Sequence, residues 1–236
     1  MKHPVRPNRI WVLLAMAAWL SAGVAFPAAG ALIAPAERAL PAPGAVVLEN
    51  FEGYENDGFP EKWRAMKEEA RTIYHIEAEN GNRFLRARAD QKTVQIGLEH
   101  PIDPKQHTHL TWRWRAREFP AGADERVADK YDSAAQVYVI FDSLLWPRFI
   151  KYVWSETLPV GARFTHPLYS RARVVVMESG SGEKDRWFDE KINFYDDYKR
   201  FFGSEPGKVQ GIAILSSSEV TKSLSVADYD DFVLLP

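Results

Sequence analysis

Three arginines alternate with two tryptophans near the middle of the chain, where residues 110–115 read LTWRWR and Arg117 follows two positions later. Alternate side chains of a β-strand point to opposite faces, so Arg113, Arg115 and Arg117 would share one face. Guanidinium groups bind carboxylates through paired hydrogen bonds, which suits an anionic polymer such as a uronate glycan. The competing interpretation, which we favour, is a face of ion pairs to neighbouring acids, with Trp112 and Trp114 in the core.

A second group of aromatic residues predicts a ligand groove. Sugar rings stack their C–H faces on aromatic planes while polar neighbours bind the hydroxyl groups. Trp146 and Trp154 lie close to Tyr152 in the sequence, and Tyr138 and Asp142 share one face of the preceding strand. The predicted ligand-binding residues are Arg113, Arg115, Tyr138, Asp142, Trp146, Tyr152 and Trp154.

No complete catalytic signature is present, and we predict no catalytic residues. A polysaccharide lyase needs a tyrosine or histidine beside an arginine or lysine, and Tyr138 or Tyr152 with Arg113 and Arg115 could take these roles only if the fold gathers them. A glycosidase needs two facing carboxylates, and Asp142 is the one strand acid that suits the role. The serine-glycine run at 179–182 has the wrong spacing for a hydrolase nucleophile and predicts a hairpin turn.

The N-terminal residues predict export. Lys2, Arg6 and Arg9 precede an apolar run over 10–26, and residues 29–31 offer an Ala-x-Ala cleavage site, so we interpret 1–31 as a signal peptide. An uncleaved anchor is the alternative. Residues 32–44 are rich in alanine and proline and predict a linker, and residues 45–236 form one domain. The expected location is periplasmic or secreted.

Composition excludes several classes of site. The chain of 236 residues has no cysteine, which excludes disulfides, a thiolate nucleophile and a zinc site with cysteine ligands. Without the leader, 27 basic and 32 acidic residues remain, a net charge of −5. A mildly acidic domain of mixed charge does not suit nucleic-acid binding.

About ten short segments rich in β-branched and aromatic residues predict strands, and they are bounded by Gly, Pro, Asn or Asp. So many strands in one domain predict an all-β fold of two packed antiparallel sheets. One short helix is expected after Asn193, its N-cap, because Phe194, Tyr198 and Phe201 form an apolar stripe before Gly203. The predicted strands cover 45–50, 72–78, 83–89, 93–99, 108–116, 134–142, 149–154, 171–178, 208–216 and 226–235.

Several motifs together resemble a family of bacterial exported proteins known only as a domain of unknown function. These are LTWRWR at 110–115, AAQVYVIFD at 134–142, KYVWS at 151–155 and GIAI at 211–214, with Trp187 between them. The resemblance covers about 46–234. It implies a jelly-roll sandwich of the concanavalin-like or galactose-binding-like kind, similar in shape to carbohydrate-binding modules. The chain departs from the pattern at 216–219, where SSSE replaces an expected Asp-rich turn.

The two ends of the domain also resemble the first and last strands of carbohydrate-binding jelly rolls. In those folds the two strands pair, and their acids often hold a structural calcium ion. Calcium takes six to eight oxygen ligands. The resemblance therefore implies a calcium site at Glu49, Glu52, Asp228, Asp230 and Asp231, and a solvated acidic strand end is the alternative.

The sequence thus predicts an exported glycan-binding module without catalytic activity, whose partner is a polysaccharide or a cell-envelope glycan. A lyase on the same scaffold is one alternative. A structural envelope protein that binds a protein partner is the other. The membrane would be involved only through the signal peptide or the anchor.

Overall fold

The computed structural model describes residues 43–55, 57–141 and 147–236, which form a jelly-roll sandwich of two β-sheets. The predicted signal peptide and all but the last two residues of the predicted linker lie outside the described residues. In the described part of the chain, no helix is long and apolar enough to cross a membrane. The strands are β1 (Val46–Glu49), β2 (Arg64–Ala65), β3 (Tyr74–Glu79), β4 (Asn82–Asp90), β5 (Ile96–Ile102), β6 (His109–Glu118), β7 (Ala135–Phe141), β8 (Arg148–Ser155), β9 (Arg163–Thr165), β10 (Ala172–Ser179), β11 (Phe188–Asn193), β12 (Val209–Leu215) and β13 (Leu224–Leu235).

The first sheet has the order β11-β6-β13-β4-β3, and β1 also pairs with β13. Its pairs are antiparallel. The first and last strands of the domain are therefore neighbours, as expected from the terminal sequences. Val46 of β1 lies opposite Leu234 of β13.

The second sheet has the order β2-β5-β12-β7-β8-β10-β9 and contains one parallel pair, β8 with β10. The sequence predicted antiparallel sheets throughout. The difference arises because the chain leaves β8, forms the short strand β9 at the sheet edge, and then returns as β10 between them. Two strands of two and three residues, β2 and β9, are too short to give a pattern in the sequence.

One helix, α1 (Phe194–Phe202), confirms the predicted helix and both of its ends. The Asn193 side chain accepts a hydrogen bond from the Asp196 N–H at 2.9 Å, and Gly203 has a left-handed φ of 67°. An N-cap side chain and a C-terminal glycine satisfy backbone groups that a helix leaves unpaired. Phe194 and Tyr198 are buried against the sandwich. A short 3-10 helix covers Glu68–Thr72.

The core between the sheets is rich in aromatic rings. Trp112 and Trp114 lie on the inner face of β6 with ring centroids 5.3 Å apart in an edge-to-face arrangement. Trp154 of β8 lies 6.1 Å from Trp114, and Tyr152 lies 6.0 Å from Trp112. The structure thus confirms the core position predicted for Trp112 and Trp114. Strand β8 faces them from the opposite sheet.

Candidate functional site

The arginine face of β6 is a network of ion pairs around one buried carboxylate. Asp228 of β13 has no exposed area and accepts hydrogen bonds from Arg86 Nε at 2.7 Å, from Arg115 Nε at 2.7 Å and from Arg117 Nη1 at 3.2 Å. Arg115 Nη2 also contacts a carboxylate oxygen of Glu79 at 2.7 Å. These guanidinium groups are therefore paired with acids of the protein, which is the interpretation favoured from the sequence.

Trp187 lies on the same outer face of the first sheet and packs between two of the arginines. The Cζ atoms of Arg113 and Arg115 lie 4.5 and 4.6 Å from its ring centroid, and Phe84 contacts it edge-on at 5.5 Å. Such cation–π contacts occupy the flat faces of guanidinium groups. Arg113 and Arg115 thus make their principal contacts within the protein.

Glu49 and Asp228, which are two of the five predicted calcium ligands, have both carboxylate oxygens occupied by protein donors. Glu49 Oε1 accepts a hydrogen bond from the Phe51 N–H at 3.0 Å, and its Oε2 accepts one from the Tyr54 hydroxyl at 2.8 Å. Asp228 is held by the three arginines. A bound cation would have to compete with these donors for both carboxylates.

The other three acids lie along the same pair of terminal segments. Glu52 accepts a hydrogen bond from the Arg83 N–H at 3.1 Å, Asp230 accepts one from the Asn82 amide at 2.9 Å, and Asp231 lies 3.9 Å from an Arg113 nitrogen. Within the described residues, no three His, Asp or Glu side chains form a group that could hold a metal ion. The calcium site remains a prediction.

The predicted groove residues Tyr152 and Trp154 lie in the core instead of on the surface. Both have no exposed area, because the period of β8 turns them towards the opposite sheet. Trp154 Nε1 donates to the Gly180 carbonyl at 3.1 Å, and the Tyr152 hydroxyl donates to Asp197 at 3.1 Å. A sugar could not stack on either ring in this conformation. Asp142 and Trp146 lie outside the described residues and remain predictions.

Tyr138 is a predicted ligand residue that lies on the outer face of the second sheet, half-buried. Its direct partner on β8 is Lys151, whose Nζ lies 6.0 Å from the Tyr138 ring centroid. The Tyr138 hydroxyl donates to Gln136 Oε1 at 2.9 Å. On the other side of Tyr138, the paired residue of β12 is Ala213, and the residue of β5 that pairs with Ala213 is Gly97. Neither of these two positions carries a long side chain.

Lys151 is 1% exposed, which is unusual for an ammonium group. Burial lowers its pKa to about 8, although the nearby carboxylates of Glu125 and Asp132 act in the opposite direction. Removing a charged amine from water disfavours its protonated form. Lys151 is therefore partly neutral just above neutral pH.

Glu125 and Asp132 come from the connection over residues 120–133, which packs on this face. Ser155 Oγ donates to Glu125 Oε2 at 2.7 Å, and the Thr221 N–H and hydroxyl donate to Asp132 Oδ2 at 2.8 and 2.9 Å. Burial raises the pKa of Glu125. The second oxygen of Asp132 is buried without a hydrogen-bond partner among the described residues, whereas the Ser133 hydroxyl lies close enough to the Glu125 carboxylate to lower its pKa. A buried polar atom of this kind is uncommon in folded proteins.

His166 and Tyr131 complete this group. Burial, together with the nearby charge of Lys151, lowers the pKa of His166 to about 3. Its ring centroid lies 5.3 Å from that of the half-buried Tyr131. We name these residues the lysine cluster: Glu125, Tyr131, Asp132, Tyr138, Lys151 and His166. Titratable side chains with strongly perturbed pKa values, here Lys151 and His166, are typical of a functional site.

Sequence reasoning found Tyr138 in this cluster and missed the other members. One sequence signal could have indicated Lys151. Phe149, Lys151 and Val153 share one face of a strand, and the lysine interrupts an otherwise apolar face. The approach of the 120–133 connection and of His166 to that lysine has no signature in the sequence, because it depends on how distant segments pack.

A second pair of acids lies between β10 and β11, where the two sheets meet at one edge. Burial, together with the neighbouring Glu178, raises the pKa of Glu190 to about 8. Trp114 Nε1 donates to Glu190 Oε1 at 3.0 Å. Two carboxyl groups in contact cannot both ionise readily, so one of them keeps its proton.

The two-sheet topology places the molecule among the jelly-roll sandwiches. The chain belongs to the family described as protein of unknown function DUF3047, whose model matches residues 61–233. No curated protein sequence matches the chain.

Solved structures with a similar arrangement have low sequence identity. An engineered form of the Cel12A cellulase of Rhodothermus marinus is 14% identical, with 78% of this chain and 88% of that chain covered and a TM-score of 0.38. A family 11 xylanase from Neocallimastix patriciarum is 12% identical, with 73% and 95% covered and a TM-score of 0.34. A carbohydrate-binding module specific for non-crystalline cellulose, CBM28, is 11% identical, with 80% and 94% covered and a TM-score of 0.34. At this level of similarity, they say nothing about the ligand of this chain.

Proposed function

We propose that this protein is an exported glycan-binding protein and that it binds sugar on the outer face of the second sheet, at the lysine cluster. The observation that carries the proposal is that two half-buried tyrosines, Tyr131 and Tyr138, belong to one cluster with the buried charged groups of Lys151, Glu125 and Asp132. Export is supported by the N-terminal sequence alone.

The chemistry of this face suits a sugar. A tyrosine ring offers an apolar plane for the C–H face of a pyranose, and its hydroxyl can exchange hydrogen bonds with sugar hydroxyls. Lys151, Glu125 and Asp132 are buried beneath this surface, so they would set its charge and position the tyrosines without touching the sugar directly. The arginine face of the first sheet is less suitable, because its guanidinium groups are already paired.

A second candidate function is cleavage of a polysaccharide by β-elimination, and the pairing of Tyr138 with Lys151 favours it. A lyase needs one group to remove the proton next to the sugar carboxylate and one to stabilise the resulting charge. Because burial raises the pKa of Tyr138 far above its usual value, its phenol is a poor base at neutral pH. Binding without catalysis therefore remains the better-supported function.

Tyrosine substitutions test the proposal. The full chain would be titrated by calorimetry against a panel of neutral and uronate polysaccharides, together with Tyr138→Ala and Tyr131→Ala. Loss of one stacking ring should weaken binding about tenfold. Tyr195→Ala is the matched control, because Tyr195 lies on α1 and interacts with Glu205.

Three outcomes distinguish the candidate functions. Saturable binding that weakens in both tyrosine variants and not in the control supports the proposal. Growth of ultraviolet absorbance from an unsaturated product identifies the lyase instead. Binding that is equal in all variants, or no binding by the folded chain to any member of the panel, contradicts a glycan site at this face.

A further inference from the structure

A cleft of about 290 Å³ opens at the edge of the sandwich where β9 and β10 of one sheet approach β11 and α1. We name it the edge cleft. It shares no residue with the lysine cluster. Its principal lining residues are Arg163, Val175, Met177, Lys191, Ile192 and Arg200.

Three cations from three different elements surround the edge cleft. Arg163 comes from β9, Lys191 from β11 and Arg200 from α1, and all three are exposed. Among the described residues, no hydrogen bond or ion pair involves the Lys191 side chain. The one hydrogen bond of the Arg163 side chain is a long contact of 3.5 Å to the Gly161 carbonyl. These two cations are thus available to a ligand.

The acids of the edge cleft are occupied by neighbouring protein groups. Asp197 accepts a hydrogen bond from the Tyr152 hydroxyl at 3.1 Å and lies 3.8 Å from an Arg200 nitrogen. Asp196 accepts one from the Asn193 amide at 2.8 Å. Three cations and two acids leave a formal charge of +1, and among these described residues the one ion pair joins Arg200 to Asp197.

An apolar wall completes the edge cleft. Val175, Met177 and Ile192 lie between the cations, and Ile192 and Val175 belong to the buried core. A surface with cations at its rim and carbon atoms at its base fits a ligand with a carboxylate on one side and C–H groups on another. The volume is at the lower limit of small-molecule sites, so one sugar unit would fill it.

We propose that the edge cleft binds a carboxylate-bearing sugar unit, with the carboxylate on Arg163 and Lys191 and the sugar ring against the apolar wall. Tyr152, predicted from the sequence as a ligand residue, acts here from beneath the surface by holding Asp197 in place. The inference is independent of the glycan face at the lysine cluster.

The test is an NMR titration of the full chain with glucuronate, with glucose and with inorganic phosphate. Glucuronate should shift the amide signals of Met177 and Ile192 in a saturable way, and glucose should bind at least about tenfold more weakly. The double variant Arg163→Gln with Lys191→Gln should weaken glucuronate binding by about tenfold or more. Lys208→Gln, an exposed lysine that does not line the cleft, is the control.

The variants should fold normally, because they alter exposed side chains. An unfolding transition at the same midpoint as that of the unaltered protein would confirm this. The proposal is overturned by unchanged affinity in the double variant, by equal binding of glucose, or by the lack of a saturable shift at the cleft. Phosphate binding as tight as that of glucuronate would also overturn it, since the sugar ring would then contribute nothing. Tyr138→Ala should leave glucuronate binding at the edge cleft unchanged. This variant therefore distinguishes failure of the edge-cleft proposal from failure of the glycan site at the lysine cluster.

Discussion

Replacing Asp228 with asparagine should destabilise the fold strongly, because this one buried carboxylate bridges three guanidinium groups. Removing one partner of a buried ionic network typically costs 3–5 kcal/mol, since the remaining charges lose their compensation. Only Arg115 is fully enclosed, with 6% of its side chain exposed, whereas Arg86 and Arg117 are 21% and 29% exposed and keep some contact with water. We therefore expect the lower limit, a loss of about 3 kcal/mol.

Urea denaturation followed by tryptophan fluorescence measures this loss directly. For a domain of this size, about 3 kcal/mol corresponds to a fall in melting temperature of about 6–12 °C. Asp189→Asn is the control, because Asp189 is an exposed acid on the same face, and its change should stay within about 0.5 kcal/mol.

A result in which Asp228→Asn is as stable as the control would refute this reasoning. The arginines would then not depend on Asp228 for their compensation. If the same variant also lost polysaccharide binding, the arginine face would be a binding surface after all, as the alternative interpretation of the sequence holds.

Three further predictions concern the core, the second sheet and pH. Trp154→Ala should cost about 3–5 kcal/mol in urea denaturation, because it empties a fully buried site between the sheets; a folded variant of unchanged stability would contradict the core position. Gly211→Ala should cost about 3 kcal/mol, since a Cβ atom there would lie 2.1 Å from the Leu98 carbonyl oxygen, and equal stability would show that this close approach is absent. Glu190 has a pKa of about 8 in the fold and 4.5 as its reference value, so the folded state keeps a proton that the unfolded chain releases. The free energy of unfolding should therefore fall as pH rises from 4.5 to 8, by at most about 1.4 kcal/mol per unit, and Glu190→Gln should reduce that slope; an unchanged slope would contradict the raised pKa.

Much of the fold could be predicted from the sequence because its signals are local. Helix α1 shows its cap, its apolar stripe and its terminal glycine within eleven residues. The predicted strands correspond to β1, β3–β8, β10, β12 and β13. Strand β11 was missed because Phe188–Asn193 mixes charged and apolar residues, and its position is fixed by pairing with β6.

The candidate site could be predicted only in part, for a different reason. Alternation along β7 correctly separated Tyr138 from the core side chains. The same rule was not enough for β8, where both faces are buried, so Tyr152 and Trp154 gave no local sign of which sheet face they occupy. The lysine cluster depends on contacts between residues far apart in the chain, which a period of two cannot reveal.

The alternate arginines of β6 allowed two interpretations from the sequence, a face that binds an anionic ligand and a face of ion pairs within the protein. Arg113, Arg115 and Arg117 have the spacing of a strand face in either interpretation. What decides between them is Asp228, more than a hundred residues later, which the topology places on the adjacent strand.

The most direct test of the glycan-binding account is hydrogen–deuterium exchange of the full chain with and without the tightest-binding polysaccharide of the panel. The account predicts slower exchange over residues 125–138 and around Lys151, where the lysine cluster lies. Protection confined to the arginine face over residues 113–117 and 226–231, or no change at a saturating concentration, would contradict it.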